Sequence, residues 1–331
     1  MRVLFIGGSG VISSACTALC LKKGIDLYVL NRGLSSRPIP EGVNKLKADI
    51  RNTEQVKKVL ADKTFDVVVD WVAYQQKHVK NDFELFKNIT KQYIFVSSAS
   101  AYQKPPDKVP IVESDPLENP FWEYSRNKIA CENYLMDLYR SENFPVTIVR
   151  PSHTYDKTII PLHGGFTTIT RMIKGKAVII HGDGTSLWTL THHRDFAAGF
   201  FGLLGNLNTI GEAYHITSDE FLSWNQICGT LADALSVEPN IIHIPSDFIM
   251  HYDKEWGDGL LGDKAYCLIF DNSKIKNLYP DYKATISFRE GAKEIIGWYL
   301  EHQSEVIIDP ELDQRMDRII NQYKKGFIVN G

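Results

Sequence analysis

The sequence predicts an α/β protein in which a doubly wound parallel sheet carries a smaller mixed α/β lobe in its second half. Three observations lead there. Short runs rich in β-branched and aromatic residues alternate with helix-length amphipathic stretches through the first 150 positions. The apolar runs are continuous rather than alternating, as expected of strands covered by helices on both faces. A glycine-rich turn follows the first run directly, the punctuation that opens a βαβ unit.

Taken in order, "RVLFIG" reads as the first strand, "GGSG" as a turn, and the stretch to Gly24 as a helix. "DLYVL", "NKLKAD", "DVVVDWVA", "QYIFVSS" and "VTIVRPS" supply five more strands. Five prolines fall in the sixteen positions from Pro105 to Pro120, which predicts an irregular loop delivering the chain to a helix that holds Tyr124. After Arg150-Pro151 the pattern becomes less regular, with turn-rich text such as "EWGDGLLGDK". Residues 1–150 are therefore expected to form the sheet domain, rejoined by about 186–218. Residues 151–331 are expected to form mainly a substrate lobe and C-terminal helices. "EAYHITSDE" should return to the main sheet, and "PELDQRMDRIINQYKKGF" reads as a charged terminal helix on the surface.

Composition narrows the function classes. At 331 residues, with 44% apolar and 23% charged side chains, the chain can bury a large core. Its 37 basic against 40 acidic residues give a net charge of −3, so nucleic acid is not an expected partner. No apolar run is long enough to span a bilayer, and "MRVLFIGGSG" enters a strand rather than a cleavage region. A cytoplasmic protein without a membrane is expected. Five cysteines, an odd number with no C-x-x-C, read as buried free thiols. The histidines show no ligand spacing, so no metal is expected.

Gly7 and Gly10 would let the backbone approach a pyrophosphate, and the helix opening at Val11 and Ile12 aims its free N–H groups and positive dipole end at it. Strand two ends in Asn31 where an acid would hold the ribose hydroxyls of NAD, and Arg32 beside it has the planar fork suited to a 2′-phosphate. NADP is thus expected ahead of NAD. Tyr124 and Lys128 stand four apart, on one helix face. Free tyrosine titrates near ~10 and is a poor base at neutral pH unless a cation favours its anion. Ser97 and Ser98 end a strand at the sheet edge where ligands bind.

Together these motifs resemble the extended short-chain dehydrogenase/reductase family, the NAD(P)-dependent epimerase/dehydratase branch, over nearly the whole chain. The resemblance implies a Rossmann-like fold and a role for each matching position. Gly7, Gly10 and Ser13 match its glycine turn, Asp49 with Ile50 its adenine contact, and Ala73 its stretch beside the cofactor. Pro151, opening with Arg150 the signature "RPSHTYD", joins the cofactor residues. Ser98 matches its catalytic hydroxyl, and "YSRNK" its Tyr-x-x-x-Lys. The family mechanism then makes Tyr124 the acid/base for hydride exchange between a nicotinamide and a secondary alcohol or ketone. Ser98 holds the substrate oxygen, while Lys128 lowers the tyrosine pKa and binds the ribose. His153 and His192 are the implied substrate contacts, a homodimer is implied as well, and the aromatic Tyr74 and Trp188 are expected to line the substrate cleft.

Three departures matter. Ser13 replaces a third glycine and adds a side chain where helix meets strand. Ala99 and Ser100 stand where the family's dehydratases carry an Asp-Glu pair, which disfavours dehydration. Trp188 occupies the place of an arginine that clamps a nucleoside diphosphate, so the substrate is expected to be a small molecule other than a nucleotide sugar unless Arg171 or Arg194 substitutes. The alternative reading is a non-enzymatic NAD(P)-binding regulator or RNA-binding protein on the same fold.

Overall fold

A computed structural model describes residues 1–326. One parallel sheet is built from β1 (Arg2–Ile6), β2 (Asp26–Asn31), β3 (Asn44–Lys47), β4 (Val67–Asp70), β5 (Tyr93–Val96), β6 (Val146–Pro151) and the Ala213–Ile216 strand. Their spatial order runs Ala213–Ile216, β6, β5, β4, β1, β2, β3.

The continuous apolar runs have a direct cause in this sheet. Side chains alternate across it, and both faces are covered. Val3 and Phe5 of β1, Val67 and Val69 of β4, and Ile94 and Val96 of β5 enter the core beneath α1 (Val11–Lys22) and the His193–Phe201 helix. Leu4, Ile6, Val68, Tyr93 and Phe95 enter the opposite core, against α2 (Thr53–Leu60), α3 (Gln76–Phe86) and α4 (Glu123–Glu142). Each fully buried Val, Ile or Phe contributes about 1.5–3 kcal/mol relative to exposure, so neither face tolerates a polar alternation. Strand β3, "NKLK", is largely exposed at the sheet edge, and its lysines discourage edge-to-edge pairing.

The chain leaves β1 for β2 on one side and later fills β4 on the other. That reversal opens a crevice at the C-terminal ends of the strands. The second half contributes short paired strands, among them His153–Tyr155 with Leu190–His192 and Leu187–Trp188 with Leu222–Ser223. Helices Trp224–Leu235 and Phe288–Glu301 each begin in a capping box, on Ser223 and Ser287, and pack on each other in a core shared with Trp188 and Leu190. The proline-rich loop is tied down by bridges from Ile111 to Phe270 and from Leu117 to Tyr102.

The terminal helix, Pro310–Lys325, is more than a solvated surface element. Met316, Ile319 and Ile320 are buried, and Asp313 and Asp317 pair with Arg171 and Lys176. The charges that suggested a surface helix are one face of an amphipathic one. Phe327, the last residue of that stretch, lies outside the described residues. All five cysteines are free thiols, four of them buried. Among the described residues no helix is long and apolar enough to cross a membrane.

Candidate active site

The glycine turn is tight for steric reasons. Gly7 sits at φ +108°, where a Cβ would come within 3.1 Å of Val72 Cγ1 and 3.3 Å of Trp71 Cβ; Gly8, at φ +100°, would meet Val29 at 3.0 Å. Only glycine takes that path without strain, and it lays the backbone low across the strand ends, as a bound pyrophosphate requires. Ser13 does not disturb the packing. It is buried, and its Oγ accepts the Gly10 N–H at 2.8 Å, closing the turn onto the first turn of α1. Thr17 Oγ1 donates to Gly8 O at 2.9 Å.

Gly7, Asn31, Arg32, Asp49 and Ile50 line one cleft of about 590 Å³, and Tyr74 lines it with them. Arg51, which the motifs did not single out, lies there too and donates to Val72 O at 2.5 Å. Asn31 Oδ1 accepts the Gly33 N–H at 3.0 Å, so this side chain shapes the turn at the end of β2. Tyr74 therefore lines the glycine-rich cleft rather than the Ser98–Tyr124 cavity described next, although its ring is 6.4 Å from that of Tyr124.

The second cavity, about 210 Å³, is lined by Ser98, Tyr124, Pro151, His153 and Trp188. A line of hydroxyls runs into it. Ser125 Oγ donates to Ser100 Oγ at 2.8 Å, and Ser100 Oγ meets Ser98 Oγ at 2.9 Å. Ser98 lines the cavity together with Tyr124, where its hydroxyl favours the phenolate. Ser98 also accepts the Ser100 N–H at 3.2 Å, so its own proton is free to point at the phenol oxygen.

Burial pushes the Tyr124 phenol up to about 12; the neighbouring Tyr74 adds to the rise, and the Ser98 hydrogen bond opposes it. Lys128 is not placed to offset this. It is buried, its ammonium donates to Ala73 O and Val96 O, both at 2.8 Å, and it stands 5.9 Å from the centre of the Tyr124 ring. Burial lowers its own pKa to about 8, with Asp70 opposing. In this state the lysine ties the ends of β4 and β5 together, and the phenol keeps its proton at neutral pH.

One turn further along α4, Glu132 anchors the helix to the sheet. Its carboxylate accepts from Arg150 Nε and Nη2 at 2.6–3.1 Å and from Ser97 Oγ. Arg150, stacked 4.8 Å over the Tyr102 ring, is held firmly charged by that carboxylate against its burial. A buried pair of this kind, with its hydrogen bonds satisfied, sets where Ser98 and Tyr124 meet.

The lobe closes the cavity with Trp188, Asp263 and Lys264. Trp188 Nε1 donates to His153 Nδ1 at 3.2 Å. Lys264 Nζ lies 5.4 Å from the Trp122 ring and 5.8 Å from that of Trp188. Its carbonyl accepts from His181 Nε2 at 2.9 Å and Trp224 Nε1 at 3.1 Å, which fixes the backbone carrying the ammonium. Trp122 and Lys264 also line a neighbouring cavity of about 380 Å³, where His163 stacks on Trp256 at 3.9 Å.

His192 is elsewhere. It is buried, caps the His193–Phe201 helix by accepting the Arg194 N–H at 3.3 Å, and meets Glu294 at 3.3 Å. A histidine capping a helix and one reaching a ligand look alike in a sequence. Arg171 is spent on Asp313 and Asp317, and Arg194 on Glu294. Asp263 and Lys264 lie in the turn-rich "GLLGDK", where no local pattern in the sequence announces them.

The chain is 22% identical over 287 residues to 2'-dehydrokanamycin reductase of Streptomyces kanamyceticus, covering 86% of this chain and 80% of that protein. It is 26% identical over 263 residues to the chloroplast stem-loop binding protein of 41 kDa b of Arabidopsis thaliana, covering 75% and 67%. The structure superposes on dTDP-glucose 4,6-dehydratase from Bacillus anthracis in complex with NAD, with a TM-score of 0.74 at 19% identity and coverage of 92% and 98%. Residues 3–217, from β1 through the seventh strand, match the model of one family. With its glycine turn, its parallel sheet and both Ser98 and Tyr124 in that span, the chain belongs to the NAD dependent epimerase/dehydratase family.

Proposed function

We propose that the chain is an oxidoreductase or epimerase acting on a secondary alcohol or ketone of a sugar-like or other small polar molecule. The observation that carries this is Ser98 and Tyr124 lining one cavity beside the glycine-rich cleft, at the same edge of the sheet. Gly7, Gly10, Val11, Ile12, Asn31, Arg32, Asp49, Ile50, Ala73 and Pro151 are the residues that would hold the dinucleotide. When bound, its nicotinamide supplies the acceptor or donor of hydride at the carbon bearing the reacting oxygen. Ser98 orients that oxygen. Tyr124 takes its proton in one direction and returns one in the other. Lys128 keeps the ends of β4 and β5 in register beneath them.

Asn31 and Arg32 at the cleft support NADP over NAD, although the superposed dehydratase holds NAD. The substrate reading is a molecule without a nucleoside diphosphate. Trp188 fills the expected arginine's place, and Arg171 and Arg194 are committed to carboxylates. The relative named for 2'-dehydrokanamycin fits that reading. Ala99 and Ser100 offer no acid/base pair for dehydration. The stem-loop binding relative favours a non-enzymatic alternative, which the net charge of −3 opposes.

The test is a panel of keto- and hydroxy-sugars, amino sugars and nucleotide sugars, each with either cofactor, read by the near-ultraviolet absorbance of reduced nicotinamide. Because epimerisation leaves that absorbance unchanged overall, product isomers are separated by chromatography. Turnover of a diphosphate-free substrate is expected. Activity confined to nucleotide sugars would overturn the substrate reading, and salt-sensitive nucleic-acid binding without turnover would overturn the enzyme.

A further inference from the structure

His153 opens a short strand just past β6, half-buried, in the cavity that Ser98 and Tyr124 share. The indole Nε1 of Trp188 can only donate, and it donates to His153 Nδ1. A ring nitrogen that accepts a hydrogen bond carries no proton, so the proton of a neutral imidazole must sit on Nε2. The donor is itself held in place. Trp188 is buried, packs 5.3 Å from Trp224, and pairs through its backbone with Leu222 and Leu268. Burial, helped by the Lys264 ammonium, pushes the imidazole pKa down to about 3, so the ring stays neutral in ordinary buffers.

We infer that Trp188 locks His153 in the Nε2–H tautomer, making it an uncharged hydrogen-bond donor for a second oxygen of the substrate bound at Ser98 and Tyr124. The inference rests on that cavity being the substrate site. It also narrows the substrate class. With Nδ1 occupied, His153 offers a proton and no lone pair, so it suits a hydroxyl or carbonyl oxygen and gives nothing to an ammonium group. The indole at position 188 thereby has a positive role, beyond the absence of an arginine: it sets a tautomer.

The tautomer is read directly from the full chain with ¹⁵N-labelled histidine, free of cofactor and substrate, by long-range proton–nitrogen spectra. His153→Gln identifies the ring's signals by their loss. The expected wild-type spectrum has a protonated Nε2 and a bare Nδ1 from about pH 5 to about pH 8, and Trp188→Phe shifts the ring toward a mixture of tautomers. A wild-type proton on Nδ1, a doubly protonated ring, or an unchanged spectrum in Trp188→Phe overturns the lock. Should Trp188→Phe fail to fold, the wild-type spectrum still decides.

The substrate half is tested on whichever compound the panel finds. His153→Leu is expected to lower kcat/KM at least about tenfold, while His153→Gln, which keeps an N–H, retains most of it. Equal losses in the two variants overturn the donor role. A panel without turnover would instead sink the enzymatic reading and leave the tautomer result standing.

Discussion

The dinucleotide cleft and the Ser98–Tyr124 cavity share one sheet edge but are assembled differently. Apart from His78 on α3, the cleft is walled by strand ends and the few residues after them: Gly7 and Ser9 after β1, Asn31 to Ser35 at and after β2, Ala48 to Arg51 after β3, Val72 and Tyr74 after β4. The cavity draws Ser98, Tyr124, His153, Trp188 and Lys264 from five separated segments. Local backbone geometry alone can make the first site. The second exists only once the lobe has folded onto the sheet, so its residues depend on long-range anchors and its specificity can change while the cleft does not.

Tyr124→Phe is the sharpest way to separate the two. The ring and its packing remain, and only the proton carrier goes. Turnover is expected to fall by about 10²–10⁴-fold, with dinucleotide affinity by titration calorimetry within a few-fold of wild type; retained turnover would remove Tyr124 as the acid/base. The same phenol gives a signed pH dependence. Burial raises its pKa to about 12, so alcohol oxidation, which needs the phenolate, should speed up about tenfold per pH unit from pH 6 toward 8. The buried Lys128 has lost half its protons by its own pKa of about 8, so the tenfold slope is read on the lower part of that range. A flat profile for oxidation would show that another group takes the proton.

Glu132→Ala attacks the cavity through its anchor. It leaves the Arg150 guanidinium buried without its carboxylate and frees Ser97. A loss of about 3–5 kcal/mol in chemical denaturation is expected, and a change below about 1 kcal/mol would show that water replaces the carboxylate. Gly7→Val strikes the other site. At φ +108°, with Val72 and Trp71 already close, the strain should cost about 1–3 kcal/mol. Dinucleotide binding should weaken with it, whereas an unchanged affinity would mean the turn does not carry the pyrophosphate.

The same contrast explains what the sequence disclosed. Continuous apolar runs predict β1, β2, β4, β5 and β6 because two-sided burial leaves that signature, whereas the polar edge strand β3, "NKLK", carries none of it, and the glycine turn is legible because positive φ restricts residue choice locally. Spacing together with family resemblance points to Ser98, Tyr124 and Lys128. Spacing could not show that Lys128 spends its hydrogen bonds on the carbonyls of Ala73 and Val96. Nor could it show that His192 caps a helix while His153 faces the cavity. Arg51 and Lys264 gave no signal because an isolated basic residue in a turn is ordinary in any sequence. Tyr74 lines the cleft and stands 6.4 Å from the Tyr124 ring, a position between the two sites that its sequence neighbours do not disclose.

The smallest expected effect tests how finely the cavity is tuned. Ser100 replaces a dehydratase acid in the family pattern, yet it is buried and passes a hydrogen bond from Ser125 to Ser98. Ser100→Ala would strand the Ser125 hydroxyl and release the Ser98 side chain from one of its two donors. A net hydrogen bond of this kind contributes about 0.5–1.5 kcal/mol, so kcat should fall by about three- to tenfold. KM for the dinucleotide should not move, because no part of the cleft is touched. Ser125→Ala, one link further from Tyr124, should cost less. If Ser100→Ala turns over at the wild-type rate, the backbone N–H of residue 100 alone orients Ser98, and the buried hydroxyls serve packing rather than chemistry.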